Sequence, residues 1–272
     1  MEIKAADVAK LRKMTGAGMM DCKKALQEAE GNFDRAQEII REKGKLIASK
    51  RAEREVSEGT VVIKNEGTKA YMLCLACETD FVAKNESFAA TANEILDIAV
   101  ANQAADLESL KAITVGTQTV AELVTEKSGQ TGEKIEIAYY ACIEAAYIAS
   151  YVHFNGKLGT LIGFNEAVSE EVGKNVAVQA ATMAPIAISK DDCDAAVIEK
   201  ERQIGREQAR LDGKPEAMLD KIAEGKVNKF LADNTLLNQA SIDDNKTTVA
   251  KYITSNNANA TVVAYKRFSL ND

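Results

Sequence analysis

Ala70-Tyr71-Met72-Leu73-Cys74-Leu75-Ala76-Cys77, followed by Glu78-Thr79-Asp80-Phe81-Val82, is the stretch on which the reading of the fold turns. The first eight residues carry no charge and show no apolar–polar alternation, so they read as a strand covered on both faces, the centre of a sheet. Upstream, Thr60-Val61-Val62-Ile63 reads as its partner, and Asn65-Glu66-Gly67-Thr68 carries the turn residues of a hairpin. Downstream the period becomes helical: Phe88, Ile95, Leu96 and Ala99 share one face of a helix over roughly 86–103. Shorter helices at roughly 106–112 and 119–127 precede Gly129-Gln130-Thr131-Gly132.

A second hairpin-rich unit opens at Ile135-Glu136-Ile137, with candidate strands near 135–143, 147–154 and 158–164. Asn155-Gly156 is the turn between the last two, and a helix over 166–183 follows. Strands followed by helix thus occur twice, the pattern of an α+β protein with two lobes and antiparallel sheets, 55–140 and 141–190 with 233–272. Pro185 ends the helix, and Asp191-Asp192 offers a cap for the next, about 192–212. There Val197, Ile204 and Leu211 stand seven apart and would face Leu219, Ile222 and Phe230 of 215–232 across Gly213-Lys214-Pro215. Residues 191–232 therefore read as a protruding helical hairpin with coiled-coil character, whose seam could close on itself or pair two copies as a homodimer. A helix at 247–255 and a strand at Thr261-Val262-Val263-Ala264-Tyr265 complete the chain.

Ahead of the first sheet, Ile3, Val8 and Leu11 mark one helix and Thr15-Gly16-Ala17-Gly18 a turn. Met20, Ala25, Leu26 and Ala29 outline a second helix, stopped at Gly31-Asn32; a third runs from Asp34 through Ile39 and Ile40 to Gly44. Such a three-helix head, 1–54 with its linker, has little core of its own and suits docking. It holds 13 Lys and Arg against 9 Asp and Glu, in a chain of net charge -7. The positive excess lies in 41–54, either a solvated linker helix or a face for nucleic acid or an acidic partner. The overall acidity argues against a dedicated nucleic-acid binder.

With 272 residues, 46% hydrophobic and 28% charged, the chain has the composition of about two globular domains. No run of about 18 apolar residues could span a membrane, and Met1-Glu2-Ile3-Lys4 enters an amphipathic pattern without a signal peptide. Five scattered cysteines suit a reducing compartment, so a cytoplasmic location is expected.

Little in the sequence supports covalent chemistry. His153 is the only histidine, and it falls mid-strand before a turn, where a structural or contact role suits it better than catalysis. Cys74-Leu75-Ala76-Cys77 has no second pair to close a zinc site and lies in a strand, away from any helix N-terminus that would activate a thiol. Gly16-Ala17-Gly18 follows no strand and has Asp21 where a dinucleotide fingerprint needs glycine. Neither cofactor nor metal is expected. Thr79-Asp80-Phe81-Val82 stands out: Thr79 or Asp80 could cap a helix with Phe81 packed inward, or Phe81 could project into another protein.

Two motifs carry a resemblance. Thr15-Gly16-Ala17-Gly18-Met19-Met20-Asp21-Cys22-Lys23-Lys24-Ala25-Leu26 and Thr79-Asp80-Phe81-Val82-Ala83-Lys84-Asn85 closely resemble the bacterial elongation factor Ts family. Ser150-Tyr151-Val152-His153 and the Gly213-Lys214-Pro215 hairpin fit it too. The resemblance implies a guanine-nucleotide exchange factor for elongation factor Tu, with a ubiquitin-associated-like head, two α+β lobes and a helical hairpin. It implies that the head docks through Arg12, Met19, Met20, Asp21 and Lys23. Asp80 and Phe81 would intrude near the partner's magnesium, with Thr79 and Val82 shaping the loop, and His153 would belong to a further contact. The C-terminus departs from the pattern, since longer members continue past Phe268 with another helical segment.

Overall fold

The computed structural model describes residues 3–272; Met1 and Glu2, which open the first amphipathic stretch, lie outside them. The chain divides into two compact units, Met1–Val62 with Met72–Ala141 and Leu270–Asp272, and Ile63–Tyr71 with Cys142–Ser269. The architecture is α+β.

The first unit opens with α1 (Ala5–Thr15), α2 (Met19–Glu28) and α3 (Phe33–Lys50). Gly16 ends α1 in the left-handed conformation at φ 68°, where a side chain would be strained, and its amide caps the carbonyl of Arg12. The Asn32 side chain caps α3 by accepting from the Arg35 amide. Val8, Leu11, Cys22, Ala25, Leu26, Ala36 and Ile40 form the small shared core.

The chain then enters β1 (Glu58–Glu66) and β2 (Lys69–Cys77), turning at Gly67 with φ 65°. Next come α4 (Asp80–Ala83), α5 (Glu86–Ala101), α6 (Leu107–Ala112), the two-residue strands β3 (Thr114–Val115) and β4 (Gln118–Thr119), α7 (Val120–Thr131) and β5 (Ile135–Glu144). The sheet order β1-β2-β5 makes β2 central, and every residue from Ala70 to Cys77 is buried. Along α5, Phe88, Ala92, Ile95, Leu96 and Ala99 are buried at helical spacing.

In this part of the chain three boundaries differ from the sequence reading. Gly44 does not end α3, which continues to Lys50. There α3 crosses α7 so closely that a Cβ on Gly129 would sit 2.3 Å from the Gly44 Cα. Gly129 is correspondingly interior to α7, which runs on to Thr131. Both glycines serve the crossing of two helices, a use that resembles a stop signal when only local sequence is read. Finally, β5 is the third strand of the first sheet, although its sequence position suggests the opening of the second.

The second unit contains β6 (Tyr147–Val152), β7 (Leu158–Phe164), α8 (Glu170–Met183), α9 (Ala195–Leu211), α10 (Glu216–Asn234), α11 (Val249–Asn256) and β8 (Val262–Ser269). The antiparallel sheet β6-β7-β8 pairs Tyr147 with Phe164 and Val152 with Gly159, and Leu158 with Ser269. Its core includes Ile162, Phe164, Val176, Ala177, Leu236, Val249 and Ile253.

Asp194 caps α9, while Asp191 and Asp192 belong to a short 3-10 turn after Ser189. The α9–α10 seam also departs from the heptad reading. Gly205 and Ala209 are buried with Leu219, Ala223, Val227 and Leu231, whereas Val197, Ile204 and Leu211 are exposed. Small residues win the contact because they let the backbones approach: a Cβ on Gly205 would lie 3.3 Å from the Ala223 Cα. Among the described residues, no helix is long and apolar enough to cross a membrane.

Candidate functional site

The loop after β2 is fixed from behind. Glu78 accepts two 2.9 Å hydrogen bonds from Nη1 of Arg51, just past α3, and one of 2.6 Å from the Lys134 amide. Partial desolvation pushes the Glu78 carboxyl up, but the Lys134 amide and the Arg51 guanidinium outweigh it and hold it below the usual range. Thr79 comes next. Its amide donates to Glu133 Oε2 at 3.0 Å and its hydroxyl to Glu133 Oε1 at 2.6 Å. Thr79 therefore spends its side chain on Glu133 and makes no side-chain cap, although its carbonyl accepts from the Ala83 amide to start α4.

Held this way, α4 presents Phe81 to solvent, 86% exposed. Of the two alternatives open in the sequence, inward packing of Phe81 is thus overturned. Val82 is half-buried at the base. Asp80 receives a 2.6 Å hydrogen bond from Lys84 Nζ, four residues on, which holds its carboxyl below the usual range. Asn85 then caps α5 by accepting from the Ser87 amide.

The head residues do not converge on one point. Arg12 and Met19 line a common groove. Asp21 is instead engaged by Lys43 at 2.7 Å, and Met20 and Lys23 are exposed on α2. In the second unit, His153 lies just past the end of β6, not within a strand. Its Nδ1 is 2.8 Å from the Tyr151 hydroxyl, and its ring centroid is 4.4 Å from that of Phe154.

Both cysteines of the pair are buried. Burial pushes the Cys74 thiol up to about 12, and burial with the nearby Glu133 charge does the same for Cys77. Among the described residues, no group of three or more His, Cys, Asp or Glu could hold a metal ion.

Sequence reading missed Arg51, Glu78 and Glu133, because pairs 27 and 54 residues apart leave no periodic trace. It also missed Phe154, 92% exposed, although Asn155-Gly156 did locate its turn.

Fold and loop together define an α+β protein that displays an exposed aromatic tip, Phe81, on a loop held by Glu133, Glu78 and Arg51. A family model described as Elongation factor TS matches residues 78–272. The Elongation factor Ts of Christiangramia forsetii is 47% identical over 273 residues, covering 99% of this chain and 99% of the relative. That of Amoebophilus asiaticus is 46% identical over 272 residues, with 98% of each covered. For Porphyromonas gingivalis the identity is 43% over 272 residues, with 100% of this chain and 99% of the relative covered. The chain belongs to the elongation factor Ts family.

Proposed function

We propose that this protein is a guanine-nucleotide exchange factor that binds elongation factor Tu in its GDP form and promotes GDP release during translation elongation in the cytoplasm. The observation that carries the reading is Phe81, an aromatic ring exposed on a loop fixed by Glu133, Glu78 and Arg51. A hydrophobic side chain held out in water gains when a partner covers it, by about 1.5–3 kcal/mol on full burial. Pre-ordering the loop lowers the entropy lost on contact.

In this reading Phe81 wedges into the GTPase beside its nucleotide site, and Asp80 disturbs the magnesium or phosphate environment there. Thr79 and Val82 shape the loop. Arg12, Met19, Met20, Asp21 and Lys23 of the head, 1–54, provide docking, and His153 in the second lobe adds a further contact. The lobes are 55–140 and 141–190 with 233–272, and 191–232 forms the arm.

No covalent step is needed. A GTPase holds GDP through its phosphate-binding backbone and magnesium, so distorting that site weakens the nucleotide. Linkage makes the effect reciprocal: a chain that binds the empty GTPase more tightly than the GDP form weakens GDP by the same factor. The test is release of a fluorescent GDP from elongation factor Tu. Substoichiometric chain should accelerate release over many turnovers, and release at the spontaneous rate would remove the reading.

A further inference from the structure

A groove of about 630 Å³ opens between α1, the start of α2, the start of α5 and α7. Arg12, Lys13 and Lys127 line it with Met19, Ser87 and Gln130, and no carboxylate does. Three other cations of the same unit are ion-paired: Lys43 with Asp21, Lys45 with Glu122 and Arg51 with Glu78. Among the described residues, Arg12, Lys13 and Lys127 make no ion pair.

The groove is built into the unit and does not depend on a hinge. Gln130 Nε2 donates to the Thr15 carbonyl at 2.6 Å, fastening the α1–α2 turn to α7. A Cβ on Gly16 would meet the Gln130 side chain at 3.0 Å, so that turn is seated directly on it. The Gly44–Gly129 crossing adds a backbone contact between α3 and α7. Lys127 stands one helical turn before Gln130 and shares its face. It is thereby held beside Arg12, which comes from more than a hundred residues earlier in the chain.

We propose that this groove receives an acidic surface segment of the GTPase, with Lys127 contributing from outside the three-helix head. The inference rests on the exchange-factor reading above and extends its docking surface to α7. Three cations without an ion pair, in a groove whose only neighbouring carboxylate in the hydrogen-bond network is Glu126, 3.4 Å from Gln130 Nε2, attract an acidic segment before contact and set the orientation of the encounter. Met19 gives that segment an apolar wall. A nucleic acid fits less well, because the groove offers no aromatic ring for base stacking and the chain carries a net charge of -7.

The experiment is stopped-flow association of the full-length chain with elongation factor Tu–GDP at low and high salt. Lys127→Glu should slow association about tenfold at low salt and flatten its salt dependence, and Lys127→Ala should have a smaller effect in the same direction. Circular dichroism and the GDP release rate at saturating chain should match the wild type, since the Lys127 side chain makes no hydrogen bond or ion pair among the described residues and lies outside the 79–82 loop. If wild type accelerates GDP release and Lys127→Glu associates just as fast with the same salt dependence, the groove inference alone fails. Wild type that does not accelerate release brings down both readings. Salt-sensitive capture of an RNA oligonucleotide, lost in Lys127→Glu, would reassign the groove to nucleic acid.

Discussion

The Thr79 hydroxyl lies 2.6 Å from one oxygen of the Glu133 carboxylate and the Thr79 amide 3.0 Å from the other, so a residue 54 positions away sets the direction in which the loop leaves β2. Hydrogen bonds to charged groups contribute about 1.5–3 kcal/mol when partly buried. Thr79→Val keeps the shape and removes the hydroxyl donor. It should slow GDP release from elongation factor Tu about tenfold, the equivalent of about 1.4 kcal/mol of lost loop positioning. Thr79→Ser restores the donor and should return the rate to near wild type. Equal rates for Val and Ser would show that the bond does not steer the loop.

Phe81→Ala separates function from stability. The ring is 86% exposed and contributes little to the core, so the unfolding free energy should stay within about 0.5 kcal/mol of wild type. GDP release should fall by about tenfold or more, because about 1.5–3 kcal/mol of burial in the complex is forfeited. Denaturant melts beside fluorescent-GDP kinetics make the comparison; a large stability loss with normal release would contradict the assigned role.

Glu78 predicts an acid signature. Its folded pKa lies below its unfolded value, so its stabilising contribution is complete above the ordinary glutamate value near 4.3 and is lost as pH falls through the lower folded value. Glu78→Gln should therefore be less stable than wild type at neutral pH. The gap should narrow below about pH 4.3 as the wild-type carboxylate protonates. Urea titrations across that range test it, and a gap independent of pH would rule out the ionised Arg51–Glu78 contact as its source.

The α3–α7 crossing predicts an asymmetry between two glycines. Gly129→Ala places a Cβ 2.3 Å from the Gly44 Cα and must push the helices apart, at a cost of about 1–3 kcal/mol or more. Gly44→Ala meets Gly129 at 3.4 Å, an ordinary contact, and gains up to about 1 kcal/mol in helix propensity. Thermal melts should show a clear loss for the first and little change or a gain for the second. Similar losses would mean that the crossing is not where stability resides.

What the sequence conveyed follows from the range of the interactions. Ala70–Cys77 declared a central strand because burial on both faces leaves an uninterrupted apolar run, and Phe88, Ile95, Leu96 and Ala99 declared a helix face by spacing. Local periodicity failed at the arm, where Val197, Ile204 and Leu211 mimic a seam that Gly205 and Ala209 make instead. A heptad of large residues is easier to see than close backbone approach. At the candidate site, Thr79-Asp80-Phe81-Val82 was conspicuous, but the direction of Phe81 depends on Glu133 and Arg51, which only the tertiary fold brings near.

Because α3 runs unbroken through Gly44 to Lys50, the segment before Arg51 acts as a rod of fixed length. One residue added between Gly44 and Arg51 would turn everything beyond it by about 100° and advance it by about 1.5 Å. Arg51 would swing away from Glu78 although no side chain had been altered. Substitutions along the exposed flank leave that distance intact, whereas an insertion or deletion does not, so residue count is what this stretch must keep.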